Sequence, residues 1–164
     1  QIATANGVEN LTIPVEHQAH KVAMKDVQIS EHSNWQLMHW RAIEAAYNST
    51  PFFDYYKDDL EPFFEQKFTS LLDFNLRIQT TILDLLGFEA NITLSDSYKE
   101  EYYSGEIDLR EAYHPKKKAV PLDVHFEHQN YYQVFNHKFG FLPDLSIIDL
   151  LFNMRNEARL ILKK

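Results

Sequence analysis

The chain has 164 residues, 45% of them hydrophobic, which is enough for one compact domain with a substantial core and too few for two ordinary ones. Sixteen basic against twenty-four acidic residues give a net charge of −8, which argues against a nonspecific DNA binder because such a protein needs a basic face to displace counterions. No cysteine is present, so disulfides, thiolate metal sites and a cysteine nucleophile are excluded, and the apolar runs fall short of a membrane span; a soluble cytoplasmic protein is the expectation.

The opening residues, QIATANGVEN, lack an initiator Met and run straight into an apolar stretch, so they read as the middle of a longer protein. Asn6-Gly7 is a turn signal. Behind it Leu11, Ile13 and Val15 alternate as a half-buried strand, with Pro14 pointing to an edge or a bulge. A second strand over 22–29 is expected to pair with the first across the connection that carries His17 and His20. Those two histidines have a metal-ligand spacing but no third ligand nearby, and a solvated loop is the simpler reading.

The first helix is expected from about Asn34 to Asn48, stopped by Ser49-Thr50-Pro51. Its apolar arc holds Trp35, Met38, Trp40, Ala42, Ile43 and Tyr47, and His39 falls near the centre of that arc. A buried imidazole satisfied by a backbone carbonyl or a tyrosine hydroxyl is the simpler reading; a tuned base lining a pocket is the alternative. The run PFFDYYKDDLEPFFEQ predicts two short helical turns broken before Pro62, with aromatics packing inward and acids solvated. A long helix follows over about 69–86, with Thr69 as cap and Gly87 in the left-handed position that ends it. Asn75 lies in the middle of its apolar arc and should therefore have a buried partner.

Asn91 to Ser95 reads as a short strand, and 96–120 as a long polar loop, the kind that is usually functional or mobile. Lys116, Lys117 and Lys118 form a basic cluster, most simply a solvated charge run and alternatively a phosphate contact. His125 and His128 repeat the ligand spacing with Glu127 between them but no further ligand, so no metal site is assigned. The stretch from Tyr131 to Asn153 is the densest in apolar side chains. Wound as a helix from Ser146, it is apolar nearly all round except for a stripe of Ser146, Asp149 and Asn153. The preferred reading of that stripe is an S-x-x-D capping box, with Asn153 ending the helix; the alternative is that it faces a polar cavity. The final 156–162 is a short helix or a strand.

Together these elements predict an α+β fold in a single domain spanning 1–164, predominantly helical with a small, mainly antiparallel sheet. No glycine-rich phosphate loop, nucleophile elbow, kinase signature or H-E-x-x-H occurs.

Four blocks, IATANGVENLTIPV, WQLMHWRAIEAAYNSTPFFDYY, HPKKK, and YYQVF with GFLPDLSIIDLLFN, together resemble the WbqC-like family. The resemblance runs from the first residue to nearly the last. It implies a cytoplasmic bacterial protein of O-antigen or other surface polysaccharide biosynthesis, with glycine transfer to an amino sugar as the proposed activity. The family's N-terminal strand region, with a Gln-Pro segment and an Asn-Arg pair, is not in this chain, so part of an active site is expected upstream. Family-like positions are Trp35, His39, Tyr47, Pro51, Asn75, Pro115, Lys116, Tyr132, Gln133, Ser146, Asp149 and Asn153.

These readings combine into an expected aminoacyl transferase acting on a nucleotide-linked or lipid-linked amino sugar. Acyl transfer to an amine needs a proton acceptor, donors for the oxyanion and a hold on phosphate. His39 is the expected base, Asp149 the carboxylate that orients it, and Asn75 with Gln133 the amide donors. Lys116 and Lys117 would contact phosphate, and Tyr132, Ser146 and Asn153 would complete the substrate site. A noncatalytic sugar-binding or scaffold protein is the alternative, using the tyrosine-rich loop for stacking. A metal-dependent hydrolase built on the histidine pairs is a third. The expectation of a polar centre is that His39, Asn75 and Asp149 meet where three helices pack.

Overall fold

A computed structural model describes residues 1–17, 20, 22–99, 103, 105–110 and 129–163. The chain divides into two compact units, Gln1–Ala90 together with Asn130–Lys164, and Asn91–Gln129. Pro115, Lys116, Lys117, His125 and His128 lie outside the described residues.

In the first unit the turn predicted at Asn6-Gly7 closes a hairpin. Strand β1 (Ile2–Thr4) pairs antiparallel with β2 (Gly7–Glu9), with Ile2 opposite Glu9 and Thr4 opposite Gly7. Ile2 and Ala3 are buried while Val8 is exposed, so β1 is the strand pressed into the core. The alternating Leu11, Ile13 and Val15 do not build a ladder. They reach only one antiparallel bridge, Val15 to Ile29, closed by the amide of Glu16 donating to Gln28 O at 3.0 Å and that of Ser30 to Pro14 O at 2.9 Å. Pro14 takes part through its carbonyl alone, as a residue without an N–H must. A 3₁₀ turn over Met24–Asp26 breaks up the second expected strand.

Helix α1 (Trp35–Tyr47) lies within the predicted bounds, and the aromatic run splits into α2 (Phe53–Leu60) and α3 (Pro62–Glu65), with Pro62 in the first turn where its missing N–H costs nothing. Helix α4 (Leu71–Leu86) begins one residue later than its expected cap: the Ser70 hydroxyl, rather than Thr69, accepts from the Asp73 amide at 3.3 Å. Its end is as predicted. Gly87 sits at φ +66°, its amide donates to Asp84 O at 2.9 Å, and that of Phe88 donates to Leu83 O at 2.9 Å, the paired bonds of a Schellman ending.

The remainder of the first unit is α5 (Asn136–Phe139), α6 (Ile147–Met154) and, after a 3₁₀ turn over Arg155–Glu157, α7 (Ala158–Leu162). The undecided 156–162 stretch is therefore helical. Asn91 to Ser95, expected as a strand, has no strand pairing, and Ile92 and Leu94 are exposed. The fold is α+β, predominantly helical with a small antiparallel sheet.

Two apolar clusters hold the first unit. Helix α6 is only two turns long and would not persist alone. It is stabilised by burial, with Leu151 and Phe152 wholly removed from water, each contributing about 1.5–3 kcal/mol. The Phe152 ring lies 5.1 Å from that of Tyr47 and 5.2 Å from that of Phe53, and its carbonyl accepts from the Phe52 amide at 3.0 Å. The second cluster centres on Phe74, which meets Trp35 edge-on at 5.6 Å and Phe68 at 5.1 Å. Among the described residues no helix is long and apolar enough to cross a membrane.

Because only glycine adopts the left-handed turn at 87 without cost, and a Cβ there would also meet the Arg159 guanidinium at 3.0 Å, Gly87→Ala should lower stability by about 1–2 kcal/mol. Denaturant unfolding would check this; an unchanged midpoint would mean that α4 does not depend on this ending.

Candidate functional site

Two neighbouring features of the first unit contain most of the expected site residues that are described, and β1 contributes to both. The first is a buried polar cluster. Asp149, on α6, is fully buried, as is Tyr47 on α1, and Gln133 and Asn153 are nearly so. The Tyr131 hydroxyl donates to Asp149 Oδ2 at 2.8 Å, the Asn153 amide donates to Asp149 O at 2.7 Å, and the Ala3 amide of β1 donates to the Tyr47 hydroxyl at 3.2 Å. Gln133 grips Leu142 at both ends: its Nε2 donates to Leu142 O and its Oε1 accepts from Leu142 N, each at 2.9 Å. The Tyr47 hydroxyl and Gln133 amide also bear on the Asp149 carboxylate, although Asp149 Oδ1 and Asn153 Oδ1 each lack a hydrogen bond of ordinary geometry.

Burial dominates the electrostatics. It pushes the Asp149 carboxyl above the usual carboxylate range, and hydrogen bonds from Tyr131, Tyr47 and Gln133 only partly oppose it. Burial next to that carboxylate likewise holds the hydroxyls of Tyr47 and Tyr131 well above the usual phenol range, so both remain proton donors. A carboxyl sealed from solvent and bridged to tyrosines works as a junction. It ties α6 to α1 and to the segment that leads into α5.

The second feature is a cavity of about 180 Å³, walled mainly by aliphatic and aromatic side chains of α1 and α4, by Gln1 and Ile2, and by Ser146 and Ile148 at the start of α6. His39 and Trp40 both line it. Burial lowers the His39 pKa below the ordinary imidazole value, opposed by a hydrogen bond to the Thr12 backbone and by the charge of Glu9. The ring is therefore mainly neutral near pH 7 and can accept a proton. The indole Nε1–H of Trp40 is buried with no hydrogen-bond partner.

The expected constellation is thus only partly assembled. His39 and Ser146 share the cavity, while Asp149, Gln133 and Asn153 belong to the polar cluster. No hydrogen bond joins His39 to Asp149: the imidazole faces Thr12 and Glu9, and the carboxyl faces the tyrosines. Asn75 is exposed, so the expectation of a buried amide fails. Phe74 and Leu86, the buried residues of α4, stand at opposite ends of the helix, and Asn75 shares the wheel direction of Leu86 three turns away, so the cover over that face at the C-terminal end does not extend to Asn75. The capping box is also absent. Ser146 makes no side-chain cap; its amide donates to Gln1 O at 2.7 Å, its carbonyl accepts from the Asp149 amide at 2.9 Å, and the Asp149 carboxyl turns inward.

Tyr132 is 56% exposed, whereas Tyr131, its neighbour, makes the buried contact. The signal for this was available: Tyr131, Tyr132 and Gln133 stand in a non-helical run, where alternate side chains face opposite ways, so the residue sharing a side with the buried Gln133 is Tyr131. Among the described residues no three His, Asp or Glu side chains converge to hold a metal ion.

Comparison with known proteins agrees with the first two of the four blocks in the sequence. The profile of the WbqC-like protein family matches residues 1–110. The chain belongs to the WbqC-like protein family. It is also 26% identical to "Uncharacterized protein Rv1507c" of Mycobacterium tuberculosis (strain ATCC 25618 / H37Rv), in an alignment covering 96% of this chain and 77% of that protein. No solved structure matches the chain.

Removing the Asp149 side chain should leave the Tyr131 hydroxyl without its acceptor, so Asp149→Ala should destabilise by about 1–3 kcal/mol. Since the folded carboxyl holds its proton more tightly than the unfolded one, its contribution is complete below the ordinary carboxylate pKa of about 4 and declines as pH rises through the raised value. Asp149→Asn should abolish that component. The difference in stability between wild type and Asp149→Asn, followed by denaturation from acid to neutral pH, should shift toward the variant as pH rises; a pH-independent difference would rule out the raised carboxyl.

Proposed function

We propose that this chain serves surface polysaccharide biosynthesis and transfers an aminoacyl group, of glycyl size, to an amino sugar, with the His39 cavity as the acyl site. The observation that carries this reading is that His39, whose imidazole burial makes less basic, and Trp40, whose indole N–H is buried without a partner, line the same small cavity. Aminoacyl transfer asks for both parts: a base to take the proton of the attacking amine, and a donor toward the carbonyl oxygen as it gains charge. An acyl carbonyl is the acceptor that Trp40 Nε1 lacks.

Size narrows the ligand. About 180 Å³ is below the usual range for a drug-sized ligand, roughly 300–1,000 Å³, and suits a small acyl group rather than a whole sugar nucleotide. In this reading Ser146 borders the acyl group. Asp149, Gln133 and Asn153 act by holding α6 and β1 in place, and Tyr132, being exposed, is free to meet the sugar. The O-antigen assignment and the cytoplasmic location follow the family resemblance.

A noncatalytic sugar-binding role is the second reading, favoured by one observation in the Asn91–Gln129 unit. Tyr98 and Tyr103 are 76% and 79% exposed, with Arg110 over the first ring at 4.5 Å and Lys99 over the second at 5.9 Å. Such rings offer faces on which sugars stack.

The chain should be incubated with candidate sugar nucleotides and activated glycine, and the product weighed for the added acyl group. His39→Gln should retain the fold and lose on the order of 100-fold or more in kcat; Trp40→Phe should lose a comparable factor through the missing N–H. A fully active His39→Gln would remove the base assignment. Sugar binding without any acylated product in the wild type would favour the stacking role.

A further inference from the structure

We propose that the cleft between the end of α4 and the 155–163 segment is a binding site for a phosphate or diphosphate group. The cleft measures about 590 Å³, and Arg155, Arg159 and Lys163 line it together with Asp84 and Gly87. Arg155 opens the 155–157 turn, Arg159 lies in α7 and Lys163 directly follows it, and the fold brings all three to the same cleft. In a chain of net charge −8 they form a local field of opposite sign.

Their position beside the C-terminal end of α4 has a structural explanation, since cations favour the negative end of a helix dipole. That does not account for their hydrogen-bonding capacity. The carbonyls of Leu83 and Asp84 are taken by the Phe88 and Gly87 amides. Among the described residues, none of the three cations donates a hydrogen bond or forms an ion pair.

They are instead held by aromatic faces. The Arg155 guanidinium lies 4.0 Å from the Tyr55 ring centre, and Arg159 and Lys163 stand 5.3 and 5.9 Å from that of Phe88. Stacking fixes a guanidinium plane while leaving its edge N–H groups available to oxygen acceptors. Arg155 also adopts φ +47°, uncommon for a residue with a side chain, and its Nε is buried without a partner. Three oriented cations with unspent donors match the charge and acceptor count of a phosphate or diphosphate better than those of a neutral sugar.

The inference stands on this cleft alone and does not require the acyl-transfer reading. Calorimetric titration of the full chain with inorganic phosphate and inorganic pyrophosphate, at ionic strength matched with sodium acetate, tests it. Saturable binding of one pyrophosphate per chain is expected. It should weaken at least tenfold in the double variant Arg159→Gln/Lys163→Gln, tighten in Asp84→Asn, which removes the opposing charge, and persist in His39→Gln. Parallel titrations with a nucleoside diphosphate and a short prenyl diphosphate separate a nucleotide source from a lipid one, the tighter ligand marking the source. Absence of saturable binding, equal binding of acetate and phosphate, or unchanged affinity in a double variant that melts like the wild type would overturn the proposal.

Discussion

A carboxyl group with no access to water sits where the main parts of the first unit join. Burying Asp149 raises the cost of its charge, and the Tyr131 and Tyr47 hydroxyls and the Gln133 amide partly offset that cost from outside its own helix. Tyr47 comes from α1 and Tyr131 and Gln133 from the segment before α5, while Asn153, one turn further along α6, donates to the Asp149 backbone carbonyl. Such a junction rewards one arrangement of the elements over others, since a displaced partner leaves a buried polar atom unpaired.

Strand β1 carries the consequence to the cavity. Its Ala3 amide meets Tyr47 at the junction, while Gln1 and Ile2 form part of the wall around His39, and Gln1 O receives the Ser146 amide. The buried carboxyl and the candidate base are thus coupled through backbone and packing, without a direct hydrogen bond. Helix α6 spans the distance in the other direction. Its first turn borders the His39 cavity and its last leads into Arg155, about 12 Å away at 1.5 Å per residue over eight residues. A small apolar cavity at one end and a basic cleft at the other are chemically distinct environments at the two ends of one largely buried helix.

Much of the local structure is legible in the residues themselves. The Asn6-Gly7 turn, the break before Pro62, the bounds of α1 and the left-handed ending at Gly87 all follow from backbone preferences that operate within a few residues. The burial of α6 was legible too, because a helix apolar on nearly all sides has only the interior to occupy. Strand pairing was less so: Leu11 to Val15 alternates as a strand should, but a 3₁₀ turn in its expected partner limits the pairing to one bridge. Asn91 to Ser95 has strand-like residues and, among the described residues, no neighbour to pair with.

What the sequence by itself determined was which side chains needed an explanation: an imidazole among apolar neighbours at His39, and a polar stripe of Ser146, Asp149 and Asn153 on an apolar helix. What only the tertiary structure decided was how each would be answered. Helical periodicity says which residues share a face, but not how far along the helix that face is covered, so Asn75 reads as buried although only Leu86, three turns further on, is covered on that side. The same limit applies to Asp149. Its spacing from Ser146 suits a local cap, and the choice between that cap and an inward turn depended on a tyrosine 18 residues away in the chain, a contact that exists only once the elements have packed.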